Sequence, residues 1–271
     1  MVKQIWWIDD ADEIAREIAN GAIVAQAFAN FYGIVTLAEP TMVRKVNELK
    51  GRPPNQVGSI VTIRPYFEDM FDWSKLPSGL TRELVLDLMD ATYARGPLGF
   101  RGPAAPHVPD VVALEDEGVR TTQIIGPGYA CPCNQFLKRA LEAAGDTKLY
   151  ITSANRSHHL TGAKEEPAHY RADDLEEEFG HAPGFVVVRH RDEAAARARY
   201  PLYAPTSTTV VSFHKMGPPD EMGRPSLYVE RHGSLHVEHL RQIADEFGLG
   251  LTLALAAMER LPERRYAANA A

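Results

Sequence analysis

Cysteine is scarce. The 271 residues hold two, Cys131 and Cys133, with Pro132 between them. Two cysteines cannot build a disulfide scaffold, and no second pair or nearby histidine stands at zinc-finger spacing. The reading is two reduced thiols in a cytoplasmic protein. Long hydrophobic runs are also missing. The most apolar late stretch, 249–258, is about half of the ~20 residues a membrane span needs. The start meets Asp9 and Asp10 before any long apolar run, which is wrong for a signal peptide. There is no excess of basic charge either: 29 Lys and Arg stand against 36 Asp and Glu, a net of -7. That balance argues against a DNA-coating protein. Seven of the acids crowd between Glu165 and Glu178 beside a single arginine. The rest of the chain is close to neutral, and a local basic cleft stays open.

What is present is ordinary for a globular protein: 45% hydrophobic and 24% charged residues. The length permits one large domain or two smaller ones. Short apolar or β-branched runs at 5–8, 22–25, 32–35, 59–63, 148–152, 185–188, 208–213 and 227–230 read as strands. Helices are expected from Asp10, with Glu13 as capping-box partner, and from Pro40 to Lys50, with Gly51 as its stop. Further helices follow from Thr81, carrying Leu84, Leu88 and Ala91, from Pro132 to Ala144, near 173–179 and over 237–247. The Gly/Pro-rich stretch 95–109 reads as irregular. Strands and helices interleave without strict βαβ regularity, so the expected fold is α/β: an open, twisted, mixed sheet flanked by helices. The expected organisation is one α/β domain over 1–245 with a helical extension over 246–271.

Three features could carry chemistry. Lys50-Gly51-Arg52-Pro53 lies at a helix end, where cations complement the dipole or project together toward an anion such as a triphosphate. Thr152-Ser153-Ala154-Asn155 leaves a strand end, the place where α/β sheets bind ligands, although Ser and Asn also form everyday turns. Ser207-Thr208-Thr209 enters a strand, and Arg231-His232-Gly233 closes a later one. His158-His159 follows the Ser-Ala-Asn loop and could reach a bound phosphate. His236 and His239 share a helix face but lack the zincin pattern, so a solvated polar face is the simpler reading and no metal site is expected.

Taken in order, these residues resemble the YrdC/TsaC-like family, the threonylcarbamoyl-adenylate synthases. Phe31-Tyr32-Gly33 is similar to the family's aromatic-Gly after the first pocket strand. Lys50-Gly51-Arg52-Pro53 is similar to its Lys-x-Arg-Pro, Ser153-Ala154-Asn155 with Ser157 to its Ser-x-Asn, Thr208 to Val211 to its Ser-Thr-Val-Val, and Arg231-x-Gly233 to its closing Arg-x-Gly. The resemblance spans about residues 10–239. It implies a deep concave nucleotide site and a reaction in which a carbamate, made from bicarbonate and an amino acid, attacks the α-phosphate of ATP and releases pyrophosphate. ATP with its Mg²⁺ would be the cofactor, and the product would pass to a downstream tRNA-modifying partner. By that resemblance Lys50 and Arg52 are the expected catalytic pair, and Ser153, Asn155, Thr208 and Arg231 the expected nucleotide contacts. The acceptor side departs from the family. Its Pro-Thr falls on Ala27-Phe28, the next hydroxyl position on Asn30, and an expected cation on Gly126. With Tyr32 as a possible wall, Phe28 and Asn30 would reshape the acceptor pocket. The other reading is a nucleotide- or RNA-binding module that kept the phosphate grip without the chemistry.

Overall fold

The computed structural model describes residues 5–8, 11–157 and 167–266. Twelve strands occur among them: β1 Ile5–Trp7, β2 Ile23–Phe28, β3 Phe31–Thr36, β4 Ser59–Val61, β5 Leu98–Pro103, β6 Ala113–Asp116, β7 Val119–Gly126, β8 Leu149–Ser153, β9 Phe185–Arg189, β10 Val210–Gly217, β11 Ser226–Arg231 and β12 Gly250–Leu253. The helices are α1 Asp12–Ala19, α2 Pro40–Lys50, α3 Arg82–Tyr93, α4 Cys133–Ala144, α5 Ala172–Phe179, α6 Glu193–Ala198 and α7 Val237–Glu246. All strands join one mixed sheet in the order β1-β9-β2-β3-β8-β4-β7-β5-β10-β11-β12, with β6 paired to β7. The open mixed α/β sheet expected from the sequence is therefore the fold.

Local sequence explains most elements. Pro40 sits in the first turn of α2, and Gly51, at φ 70°, ends it in the left-handed region. The Thr81 hydroxyl accepts from Leu84 N at 3.2 Å and caps α3. The buried stripe of α3 is Val85, Leu88, Met89 and Thr92, displaced from the expected Leu84–Leu88–Ala91 line because the helix also packs Tyr93. In α4 the expected Phe136, Leu137, Ala140 and Leu141 are buried, and Gly145 ends the helix at φ 62°.

Four expectations need correction. α1 starts at Asp12 after Ala11, and Asp10 lies outside the described residues. The stretch 95–109 contains β5, whose alternation places Phe100 in the core against Phe213 at 5.9 Å and Phe67 at 6.0 Å. The hairpin β6–β7 was not legible as strands. It turns through Glu117 and Gly118, with φ of 51° and 79°, the pair of positive values that a two-residue hairpin turn requires. Past α7 there is no helical extension over the described residues: β12 pairs in parallel with β11, and only a 3-10 turn at Leu255–Ala257 follows. The sheet continues across the expected boundary at 245 because Leu249 and Leu251 are buried there.

Candidate functional site

Register fixes which side chains share a face. Gly33 pairs with Ser153, Val35 with Ile151, and Ser59 with Ile151. Gly99 pairs with Ile125, and Arg101 with both Gln123 and Ser212. Since paired residues point the same way and neighbours alternate, Phe31, Ser153, Ile151, Ser59, Gln123, Ile125 and Arg101 project from one face. The opposite face carries Phe100 and Phe213, with Phe67 packed on Tyr93 of α3.

That first face lines a cavity of about 210 Å³. Phe31, Ile125 and Ile151 form its apolar wall; Ser153, Thr152, Ser207 and Thr208 supply hydroxyls; Arg52, Arg101 and Arg231 supply three guanidinium groups. No carboxylate lines it among the described residues. Each arginine is braced. Arg52 donates to the Thr152 hydroxyl at 2.7 Å. Arg231 donates to the Thr208 carbonyl at 2.8 Å and to its hydroxyl at 3.1 Å. Arg101 donates through Nε to Glu230 at 2.6 Å and through Nη2 to Gln123 at 3.0 Å. Three guanidiniums and several hydroxyls around one concave space have the chemistry that complements a phosphate-type anion.

The close approach of two segments gives the Arg-x-Gly sequence a physical reason. A Cβ on Gly233 would stand 2.1 Å from the Ser207 carbonyl oxygen and 2.6 Å from Thr208 backbone atoms. Without one, Gly233 N donates to Thr209 Oγ1 at 3.0 Å and Ser234 N to Ser207 O at 2.8 Å. The Ser207–Thr208 wall is thereby tied to Arg231. The hydroxyl run precedes β10 and does not begin it. Thr209 is buried and donates to Leu235 O at 2.6 Å.

The expected site residues divide. Arg52, Ser153, Thr208 and Arg231 converge on this cavity. Lys50 does not line it. Its side chain is fully buried, and Nζ donates to the Ser153 carbonyl and, at 3.4 Å, to Asn155 Oδ1. Burial, with Arg52 adding to it, pushes its pKa well down. Lys50 therefore braces the strand-end loop from behind. Asn155 is likewise turned inward, its Nδ2 donating to the Arg156 carbonyl at 2.7 Å. The three expected acceptor-pocket residues do not line the cavity either. Phe28 is buried against Phe31 at 5.3 Å. The Asn30 amide donates to the Ala204 carbonyl. Tyr32, on the opposite face from Phe31, donates to Glu193. Asn30 and Tyr32 border a separate space of about 10 Å³, no larger than a water. His158 and His159 lie outside the described residues. His236 caps α7, accepting from Glu238 N at 3.2 Å.

Sequence reasoning missed Arg101 and Gln123. Both sit on strands it did not find, and Gly126, where the resemblance placed a cation, faces away from the cavity: a Cβ there would meet Phe67 and Tyr93 at 3.0 Å.

No family model matches the chain, and no curated protein matches it. Solved structures do. P. abyssi Sua5, complexed with L-threonine, aligns with a TM-score of 0.62 at 17% identity over 93% of this chain and 63% of that one. The chain shares the fold of Sua5. E. coli YciO aligns with a TM-score of 0.50 at 13% identity, over 78% of this chain and 90% of that chain. Full-length HypF, in a phosphate- and nucleotide-bound form, aligns with a TM-score of 0.54 at 14% identity, over 82% of this chain and 29% of that chain. The chain thus spans less than two thirds of the Sua5 chain, and at these identities the likeness is one of fold. Among the described residues, no helix is long and apolar enough to cross a membrane.

Proposed function

We propose that the protein binds ATP, with its Mg²⁺, through the three-arginine cavity and forms a carbamoyl-adenylate from ATP, bicarbonate and an amino acid or related acceptor. The observation that carries this reading is the convergence of Arg52, Arg101 and Arg231 with Ser153 and Thr208 on one face of a Sua5-like sheet. In the reaction, the acceptor's amine and bicarbonate condense to a carbamate with loss of water; a carbamate oxygen then attacks the α-phosphorus, the bond to the bridging oxygen breaks, and pyrophosphate leaves with that electron pair. The nucleophile is already an anion, so the chemistry needs charge neutralisation and alignment more than a base. The guanidiniums supply the first and the braced hydroxyls the second. Lys50 acts as a positioning residue, holding the Ser153–Asn155 loop. The Sua5 structure with L-threonine and the nucleotide-bound HypF structure support a small-molecule and nucleotide site on this fold. Phe28 is absent from the cavity wall, which keeps threonine among the acceptors to be tried. An adenylate product would pass to a tRNA-modifying partner.

The experiment is pyrophosphate release from ATP, Mg²⁺ and bicarbonate with each amino acid in turn. Release with one acceptor is expected. Arg52→Ala and Arg231→Ala should each lower it by roughly 10- to 100-fold, the worth of one charge-assisted phosphate contact. ATP binding without release in any mixture would overturn the enzymatic reading in favour of a nucleotide-binding module. Absence of ATP binding would overturn both.

A further inference from the structure

The face that bears the cavity continues past Arg101 to a second group of side chains. Leu114 pairs with Thr121 and Asp116 with Val119, so Asp116 projects from the cavity face of β6. His214 is two residues beyond Ser212, the register partner of Arg101, and Glu230 reaches the same space from β11. One ligand atom from each of Asp116, His214 and Glu230 lies within 4.8 Å of the others. We propose that these three residues form a binding site for a first-row divalent transition ion such as Zn²⁺.

Four observations carry this. His214 Nε2 and Asp116 Oδ2 are 2.8 Å apart, so the pair need open by only about 0.6 Å to reach the ~3.4 Å between neighbouring tetrahedral ligands with bonds of about 2.1 Å. The His214 side chain is fully buried, whereas Asp116 and Glu230 are 29% and 18% exposed, which leaves an entry path on the carboxylate side. Glu230 Oε1 is buried without a hydrogen-bond partner among the described residues, an acceptor of the kind a cation satisfies. Finally, Ser212 Oγ lies 2.9 Å from His214 Nδ1. It can accept the ring proton there while Nε2 presents its lone pair, the outer contact that metal-binding histidines use. The proton on Nε2 moves to Nδ1, so the ring stays neutral and no redox partner is needed.

Two cations sit close by, and each has an alternative partner. Lys215 contacts Asp116 at 2.9 Å but also Glu117 at 2.9 Å. Arg101 contacts Glu230 but also Gln123. Asp116 and Glu230 can therefore turn to an ion without stranding either cation. One imidazole and two carboxylates suit zinc, manganese or nickel better than magnesium, which prefers oxygen alone. A Ser212–His214–Asp116 hydrolase is excluded, because Ser212 is fully buried and meets no substrate.

The test is calorimetric titration of the whole protein, stripped with chelator, with Zn²⁺ alone. It does not depend on the proposed ATP chemistry. One ion should bind per chain. Asp116→Asn and Glu230→Gln, which keep side-chain shape, should each weaken it by at least about 10-fold, and Ser212→Ala by roughly 10-fold through the histidine. Equal melting temperatures in chelator would establish that these variants are folded. A Cys131→Ser, Cys133→Ser, His236→Gln variant should bind zinc as the parent does. No stoichiometric binding, or binding unchanged in both carboxylate variants, overturns the site.

Discussion

Replacing Gly233 by alanine should damage both the stability of the protein and its three-arginine cavity, for a purely steric reason. The added Cβ would lie 2.1 Å from the Ser207 carbonyl oxygen and 2.6 Å from the Thr208 carbonyl carbon and oxygen. Ordinary carbon contacts are about 3.5 Å, so two backbone segments must part by more than about 1 Å. Overpacking of that kind costs about 1–3 kcal/mol. The separation also breaks Gly233 N to Thr209 Oγ1 and Ser234 N to Ser207 O, at about 1 kcal/mol each. The total is about 3–5 kcal/mol, or roughly 6–20 °C in melting temperature for a domain of this size. Because Ser207 and Thr208 line the cavity and Thr208 holds Arg231, affinity for pyrophosphate should fall at least about 10-fold as well. Thermal unfolding and calorimetric pyrophosphate titration measure the two effects. Gly223→Ala is the control: its φ is 75° but nothing stands within 4 Å of the added carbon, so it tests backbone strain alone. If Gly233→Ala melts within about 2 °C of the parent, or no lower than the control, the packing argument fails.

Three other outcomes follow from buried groups. Burial, with Arg52, depresses the Lys50 pKa. The unfolded chain then binds the extra proton, and wild-type stability rises with pH up to about 10.5. Lys50→Met removes that rise, so the gap between the two proteins in urea unfolding should change by up to about 1.4 kcal/mol per pH unit; a flat gap from pH 7 to 10 refutes it. Burial also holds His169, His214 and His232 below the usual imidazole range, His232 at about 4 with His236 and Arg260 adding to the effect. Their contribution is complete above about pH 6.5 and is lost as pH falls below it, for His232 down to about 4, and His232→Gln should reduce that loss by an amount on the order of 1 kcal/mol after solvent screening. An unaltered slope in the variant would count against the assignment. Cys131 and Cys133, buried with their sulfurs 2.9 Å apart, should react with a thiol reagent only after unfolding; one rapid equivalent in the native protein would contradict that burial.

How far the sequence could be read depended on whether the signal was local. Pro40, Gly51, Thr81 and Gly145 mark helix ends through their own backbone preferences, and the structure puts those ends where they stand. The short apolar strands were legible for the same reason. The site was legible only where it leaves such an end: Arg52 follows the α2 stop, and Ser153 ends β8. Lys50 was visible as a cation but not as a buried one. Its spacing on α2 puts it on the face with Met42, Val43, Val46 and Asn47, a stripe that apolar residues alone do not reveal. β5 was obscured because Gly99, Gly102 and Pro103 read as loop. Gly99 and Gly102 are instead small because Val210 and Phe71 fill the space a Cβ would take, at 2.8 and 2.9 Å. The role of Arg101 required register across three strands, which no single segment encodes.

Arg101 also links the two sites proposed on this face. Its Nε and Nη2 reach Glu230 and Gln123 at the same time, and the fork that does this is rigid and planar, which a lysine is not. One guanidinium thus adds positive charge to the cavity and shields a carboxylate of the neighbouring cluster. Asp116 is balanced differently: burial raises its pKa, but the bonds from Lys215 and His214 outweigh that and hold it low. Charge along the face is therefore mixed, with three arginines around the cavity and, beyond it, Asp116 and Glu230 held by Lys215 and Arg101; Arg101 touches both groups. An anion drawn to the cavity and a cation drawn to the cluster would each act on that same side chain.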